Sequence, residues 1–264
     1  MNGVRHFLIA LQFFTRVPVT GPLAAWVGFS PQMLRASAAH LPGIGWLVGA
    51  VAALVFTAID MGLPGVAGAL VAAVLSTVVT VMMTGAFHED GLADVADGLG
   101  GSAQRDRALE IMKDSRIGAF GAVALVLALG LKFALLAALA ARGLQGAAVA
   151  IVGAHVLSRL MPLFLIRWLP YVGDSGASKA KPLADAITGG ALLVALVWTL
   201  PAVALLLAAH DAVHVGAAVL AALIAAGWMA RLFLRRLQGF TGDGLGATQQ
   251  VCELAIYLAL AWGA

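Results

Sequence analysis

An acidic segment between two apolar runs carries the residues best suited to chemistry. Asp90, Asp94 and Asp97 are spaced i, i+4 and i+7, so a helix over this segment places the three carboxylates on one face. Carboxylates on one face raise each other's pKa unless a cation lies among them. Oxygen ligands without thiolates favour Mg²⁺ or Mn²⁺ over zinc. The segment therefore predicts a divalent-cation site, and the alternative is a solvated acidic loop between two membrane spans.

Two further polar loops carry groups suited to binding phosphate. One contains Lys113, Asp114 and Arg116, and the other contains Thr241 and Asp243 interleaved with glycines. Carboxylates for a metal beside basic side chains are the minimum set for phosphoryl transfer, because the metal neutralises charge on the transferred group and the bases bind the other phosphate oxygens. Glycines let backbone N–H groups approach phosphate closely. The chain has no Walker A motif, so ordinary ATP hydrolysis is disfavoured.

Three more charged residues lie in apolar segments, where a charge is costly and indicates function. Arg159 would reach a phosphate or pair with one of the three aspartates on the acidic face. Lys132 would either take a functional role or extend its ammonium group to the membrane surface. Glu253, near the start of the last helix, would pair with a base or join the metal site.

The histidines give weaker signals. His88-Glu89 begins like the zinc motif H-E-x-x-H, but position 92 is Leu, so a zinc protease is disfavoured. His88 is then either a metal-shell or acid–base residue or a structural histidine at the end of a span. His210 and His214 have metal-ligand spacing but no further partner, and we interpret them as a plain interfacial turn.

Composition predicts the class of protein. The 264 residues are 62% hydrophobic and 11% charged, with a mean hydropathy of +0.98, whereas roughly a quarter of the residues of soluble domains are charged. The single Cys252 excludes an internal disulfide and a multi-thiolate metal site. We therefore expect an all-α polytopic integral membrane bundle of about six to seven transmembrane helices, forming one membrane-embedded catalytic domain over residues 1–264.

The apolar runs place the helices of this bundle. A run at Phe7–Phe14 is too short to span and predicts an N-terminal interfacial or re-entrant helix. Ser102 is the predicted N-cap of a short amphipathic cytoplasmic helix before Gly118. A last, short apolar helix follows the Thr241 loop. The predicted spans are 41–59, 66–83, 119–140, 147–166, 187–207 and 217–233.

The distribution of basic residues predicts the orientation. With the N-terminal region in the cytoplasm, the loops on the opposite side hold only Arg142, which agrees with the positive-inside rule. Every polar, glycine-rich loop then faces the cytoplasm, where nucleotides and free Mg²⁺ are found. The basic residues of the cytoplasmic side are Arg5, Arg16, Arg35, Arg105, Arg107, Lys113, Arg116, Arg167, Lys179, Lys181, Arg231, Arg235 and Arg236.

Several motifs together resemble one family. The segment from His88 to Gly98, HEDGLADVADG, is similar to the acidic signature of cobalamin synthase, the adenosylcobinamide-GDP ribazoletransferase family. FFTRVPV at positions 13–19, EIMKDSRIG at 110–118 and TGDGLGA at 241–247 resemble its other motifs in the same order. The chain departs from the pattern at Gly239-Phe240, where we expect paired glycines, and this difference bears on the shape of the loop.

The resemblance implies an activity and a set of roles. It implies a bacterial cytoplasmic (inner) membrane enzyme in which a hydroxyl of α-ribazole, or of its phosphate, attacks the cobinamide-linked phosphate and GMP leaves. It also implies Mg²⁺ dependence. The family's acidic motif maps to Asp90, Asp94 and Asp97, with Glu89 beside them as a further metal ligand. Asp97, Asp94 or His88 would accept the proton of the hydroxyl. Substrate would be bound by Lys113, Asp114, Arg116, Arg159, Thr241 and Asp243, of which Asp243 would orient a metal or the ribazole sugar.

The predicted partners are these small molecules and the lipid bilayer, with no nucleic acid. A homo-oligomer and docking of other pathway enzymes are compatible with such loops. One alternative is a CDP-alcohol phosphotransferase, but its D-G-x-x-A-R pattern is broken because Asp94 follows Ala93. A cation transporter is a second alternative, although it would place its acids near the midplane of the membrane.

Overall fold

The computed structural model describes residues 2–173 and 187–263, and over these residues it is helical with no strand. Lys179 and Lys181, used above for the orientation, lie outside the described residues. The α-helices are α1 (Asn2–Phe14), α2 (Gly21–Val27), α3 (Pro31–Ser37), α4 (Leu41–Gly62), α5 (Val66–Thr84), α6 (Phe87–Gly101), α7 (Arg105–Ile111), α8 (Ala119–Arg142), α9 (Leu144–Trp168), α10 (Gly189–Ala209), α11 (Ala212–Arg236) and α12 (Gly242–Ala261).

The predicted membrane spans are confirmed as helices. Among the described residues, six helical segments are long and apolar enough to cross a membrane, and they coincide with the six predicted spans. The first segment begins earlier than predicted, at Pro31, because α3 runs through a 3-10 turn at Ala38–His40 directly into α4. Outward side chains on the spans are large and apolar, for example Val126 (71% exposed) and Leu200 (64%), as a lipid-facing surface requires.

Helix α9 is the centre of the bundle, because 83% of the residues in its apolar 18-residue stretch are buried. Its closest neighbour is α4, and two glycines of α4 explain the close approach. A Cβ on Gly45 would lie 2.8 Å from Cα of Val156, and a Cβ on Gly49 would lie 3.0 Å from Cα of Val152. Small residues four apart let two membrane helices pack with their backbones in contact.

The amphipathic segment after α6 differs from its prediction in one detail. The short helix α7 begins at Arg105, and Ser102 is not its N-cap. Ser102 instead follows the last residue of α6, and its hydroxyl accepts a hydrogen bond from the backbone N–H of Gln104 (3.1 Å). The serine therefore stabilises the turn between the two helices.

Helix α12 is 20 residues long, but it is not among the six apolar segments. Polar side chains in its interior, Gln249, Gln250 and Glu253, are all at most 5% exposed. The helix packs against α6, α8, α9 and α11, which cover these side chains. A pair of backbone hydrogen bonds, between Val172 and Phe240 (2.9 Å) and between Phe240 and Pro170 (2.9 Å), holds the segment before α12 against the end of α9.

Candidate active site

A tight turn between α5 and α6 directs the acidic helix. Gly85 (φ 69°) and Ala86 (φ 59°) both adopt left-handed backbone conformations, which reverse the chain within two residues. The backbone N–H of Arg16 donates to the carbonyl of Met83 (2.6 Å), so the N-terminal FFTR segment packs on this turn. Phe87, the first residue of α6, makes edge-to-face contacts with Phe13 and Phe14 at centroid distances of 6.2 and 6.1 Å. The structure thus brings two of the recognised motifs together.

The TGDGLGA motif contacts the acidic helix α6 at a glycine. A Cβ on Gly91 would lie 2.6 Å from the backbone oxygen of Asp243, so α6 and the first turn of α12 approach to backbone contact. Thr241 is the N-cap of α12, and its hydroxyl accepts a hydrogen bond from the N–H of Gly244 (3.1 Å). This contact carries Asp243 to the side of α6 that bears Asp90 and Asp94.

Asp90, Asp94, Asp97 and Asp243 form the carboxylate cluster. Burial, and then repulsion from Asp243, Asp90 and Asp97 in that order, together raise the pKa of Asp94 to about 7. Burial and then Asp90 likewise raise the pKa of Asp243 to about 6, partly offset by its hydrogen bond with Thr241. The three predicted aspartates of α6 are therefore part of a set of interacting carboxylates, which also includes Asp243 of α12.

The donor set of the cluster fits a hard divalent cation. It offers carboxylate oxygens from Asp90, which is exposed, and from Asp94 and Asp243, which are half-buried. A cation among them would replace mutual repulsion by attraction. Within the described ranges, no three acidic, histidine or cysteine side chains already stand close enough to hold an ion. The exposed and half-buried carboxylates have room to rotate toward one.

Asp97 has a structural contact that its spacing did not reveal. One carboxylate oxygen accepts the backbone N–H of Gly118 (2.7 Å) and the other accepts that of Gly121 (2.8 Å). These amides belong to the first turn of α8, where a carboxylate is favoured by unpaired N–H groups and by the helix dipole. Asp97 therefore joins α6 to α8, and a Cβ on either glycine would collide with it.

The predicted phosphate-binding groups are divided between two places. Asp114 and Arg116 form an exposed ion pair (2.6 Å) just before the α8 terminus that Asp97 contacts. Hydrogen bonds from Arg116 lower the pKa of Asp114 to about 2. Lys113 precedes them in the same loop. Arg159 lies instead inside the bundle, 2% exposed, with Nη1 beside His155 Nδ1 (2.8 Å) and donating to the His155 carbonyl (3.0 Å).

A buried polar network lies beneath the carboxylate cluster. Lys132 Nζ pairs with Glu253 Oε1 (2.7 Å), so Lys132 does not extend to the membrane surface and Glu253 pairs with a base. Gln249 donates to Glu253 Oε2 (2.7 Å) and to Ser158 Oγ (2.9 Å). Gln250 donates to Gln249 Oε1 (3.0 Å) and to Glu89 Oε1 (3.1 Å).

Glu89, a predicted metal ligand, therefore lies in this network rather than in the carboxylate cluster. It is 8% exposed, and burial raises its pKa while Lys132 acts in the opposite direction. The sequence interpretation missed Gln249 and Gln250, although two adjacent amides one turn before Glu253 in an apolar helix were a usable signal.

The histidines fall into two groups. His88 is 4% exposed beside Phe87, and burial, followed by the charge of Arg159, holds its pKa well below the usual range. It also lines a cavity of about 30 Å³ beneath α1. His210 and His214 line a separate cavity of about 600 Å³ and donate to the carbonyls of Gly146 (3.1 Å) and Trp262 (3.0 Å), as expected of a turn.

Comparison with known proteins bears on this arrangement. The model of the family described as cobalamin-5-phosphate synthase matches residues 6–261. An adenosylcobinamide-GDP ribazoletransferase of a Polaromonas species is 57% identical, covering 98% of this chain and 96% of that protein. A protein of the same name from Albidiferax ferrireducens is 57% identical, covering 98% of this chain and 98% of that protein. Another from Shewanella amazonensis is 44% identical, covering 96% of this chain and 94% of that protein. No solved structure matches the chain.

Proposed function

Since the chain belongs to the cobalamin-5-phosphate synthase family and is a membrane transferase of cobalamin biosynthesis, we propose that it joins adenosylcobinamide-GDP to α-ribazole, or to α-ribazole phosphate. The names of its relatives support these substrates. The family match favours this transfer over the CDP-alcohol and cation-transport alternatives. The observation that carries the proposal is the carboxylate cluster, in which burial, Asp243 and Asp90 raise the pKa of Asp94, and burial and Asp90 raise the pKa of Asp243.

In the proposed reaction, a hydroxyl oxygen of the ribazole attacks the phosphorus attached to cobinamide. The P–O bond to the GMP phosphate breaks, GMP leaves with the electron pair, and the hydroxyl proton passes to a base. Of the predicted proton acceptors, Asp94 is the accessible one, because both oxygens of Asp97 accept backbone N–H bonds and His88 is buried. We assign the proton transfer to Asp94 on this ground.

Mg²⁺ would be held by Asp90, Asp94 and Asp243, and when bound it supplies charge neutralisation on the pyrophosphate. Arg116 and Lys113 belong to the loop before Gly118, whose N–H contacts Asp97, and we propose that they bind phosphate oxygens. Asp97 has both oxygens committed to α8, so we propose that it positions the acidic helix. Thr241 orders the turn that carries Asp243.

The proposed location is the cytoplasmic face of the inner membrane. Basic residues lie at the same end of the bundle as the carboxylate cluster. Arg236 donates to the carbonyls of Leu99 (3.1 Å) and Ser102 (2.6 Å) at the end of α6, and Arg105 donates to the carbonyl of Leu237 (2.7 Å). By the positive-inside rule this end faces the cytoplasm. Homo-oligomerisation and docking of pathway enzymes on this face stay predictions.

Turnover by the reconstituted protein tests the proposal. Liposomes containing the chain receive adenosylcobinamide-GDP, α-ribazole and Mg²⁺, and adenosylcobalamin and GMP are quantified by chromatography. We expect equimolar products that disappear on addition of EDTA, and loss of turnover in Asp94→Asn. Asp106→Asn is the matched control, because its side chain is 93% exposed on α7. Folded protein that makes no product, or an Asp94→Asn variant with full turnover, would contradict the proposal.

A further inference from the structure

A chain of hydrogen bonds connects the interior of the bundle with the start of α6. It runs from the Lys132–Glu253 ion pair through the amides of Gln249 and Gln250 to the carboxylate of Glu89. Every member is at most 8% exposed. None of these contacts involves the carboxylate cluster directly.

The two carboxylates at the ends of this hydrogen-bond chain, Glu253 and Glu89, determine the direction of its hydrogen bonds. Ionised carboxylates only accept hydrogen bonds, so Gln249 must turn its NH₂ group toward Glu253. Its carbonyl oxygen then faces Gln250 and accepts from it. Gln250 is left with a second N–H, which it donates to Glu89. Both protons of each amide are used, and reversing either amide would place a carbonyl oxygen against an acceptor.

The last contact determines how α6 sits on α12. Glu89 immediately precedes Asp90, and Gln250 lies about two turns beyond Asp243 on α12. Gln250 and the backbone contact at Gly91 are therefore two attachment points between the same two helices. Together these two points oppose rotation of the first turns of α6 about the helix axis, while Asp97 holds its later part against α8.

We propose that Gln250 is a positioning residue, which holds Glu89 and thereby keeps Asp90 and Asp94 facing Asp243. The inference rests on the cation site of the proposed function and extends it to a side chain remote from the cation. Partners that orient metal ligands without touching the metal typically change metal affinity by about 10- to 100-fold when they are replaced. Loss of the Gln250 amide also leaves a buried oxygen of Glu89 without its donor.

Mn²⁺ binding by the detergent-solubilised full chain tests the inference without substrate. The signal of free Mn²⁺ in electron paramagnetic resonance gives its dissociation constant for wild type, Gln250→Leu, Glu89→Gln and the double variant. We expect Gln250→Leu to raise this constant by more than twofold and up to about 10-fold, the lower end of the typical range, because Gln250 acts on the ligands only through Glu89. In the Glu89→Gln background the same change should have less than about a twofold effect, because Gln250 acts through Glu89.

Thr248→Val is the matched control for lost stability. Its hydroxyl is buried in the same helix and donates to the Gly244 carbonyl (2.7 Å), outside the hydrogen-bond chain. We expect this variant to lose thermal stability but retain its Mn²⁺ affinity. If Gln250→Leu does not fold, Gln250→Asn, which retains the amide but shortens its reach, is compared in the same way.

The outcomes separate this inference from the proposed function. A folded Gln250 variant that binds Mn²⁺ within twofold of wild type, or additive effects of the Gln250 and Glu89 changes, would overturn the positioning role and leave the cation site intact. Wild-type protein that binds no Mn²⁺ would overturn the cation site, and the positioning role with it.

Discussion

Replacing Asp94 by Asn should stabilise the cation-free protein while abolishing its turnover. In the folded chain the pKa of Asp94 is raised from its ordinary value of 3.8 to about 7. The folded state therefore binds this proton more tightly than the unfolded state, and stability falls as pH rises from about 4 to 7. A pKa raised from 3.8 to about 7 corresponds to about 4 kcal/mol. Because the carboxyl is half-exposed, solvent screening reduces the expected effect to about 1–2 kcal/mol.

The assay is thermal unfolding in detergent and EDTA, followed by tryptophan fluorescence at pH 5 and pH 8. At pH 8 the wild-type carboxylate is charged, so Asp94→Asn should unfold at a higher temperature. At pH 5 the wild-type group is largely protonated, and the two proteins should unfold together. Asp106→Asn should show no such pH dependence, since its side chain is 93% exposed.

Saturating Mg²⁺ should reverse the order of stability at pH 8, because only wild type has the full ligand set. Equal unfolding temperatures of wild type and Asp94→Asn at pH 8 in EDTA would refute the reasoning, since burial and the neighbouring carboxylates would then not destabilise the charged form of Asp94. A variant that gains as much stability from Mg²⁺ as wild type would remove Asp94 from the cation site.

Three further substitutions test other contacts, each by thermal unfolding. Asp97→Ala should destabilise by about 1–3 kcal/mol, because two backbone amides of α8 lose their acceptor, and a stability equal to wild type would contradict this role. Lys132→Met should lower the free energy of unfolding by about 3–5 kcal/mol, because it leaves Glu253 charged and without its cationic partner. Adding Glu253→Gln should recover most of this loss, and a double variant that recovers none would mean that the ion pair is not the cause. Gly91→Ala should lower the free energy of unfolding by about 1–3 kcal/mol, because its Cβ would lie 2.6 Å from the backbone oxygen of Asp243. The variant should also bind Mn²⁺ more weakly, and an unchanged affinity would show that the contact between α6 and α12 at Gly91 does not position the carboxylate cluster.

The helices were predictable because apolar length alone defines a membrane span. The six predicted spans match α4, α5 and α8 to α11 within a few residues at most ends. The acidic helix was predictable from its i, i+4, i+7 carboxylates. Ser102 was assigned wrongly because only three residues separate the end of one helix from the start of the next, and a serine suits either position.

The site was predictable only where residues act within one helix. Spacing showed that Asp90 and Asp94 share a face, but not that Asp97 turns to the amides of α8. It also did not show that Glu89 turns away to Gln250. These choices depend on which helix packs on each side of α6. Asp243 lies near the other carboxylates because Gly91 lets α6 and α12 come into backbone contact, although these segments are more than 150 positions apart in the sequence. No local sequence pattern encodes such a contact.

The polar interior of α12 has a consequence for how the protein is made. This helix carries three buried polar side chains and is not among the segments apolar enough to enter a bilayer alone. Its partners Lys132, Ser158 and Glu89 belong to helices that are synthesised earlier. We therefore expect α12 to enter the membrane only against a pre-assembled bundle, so that Asp243 reaches the site as the final step of biogenesis.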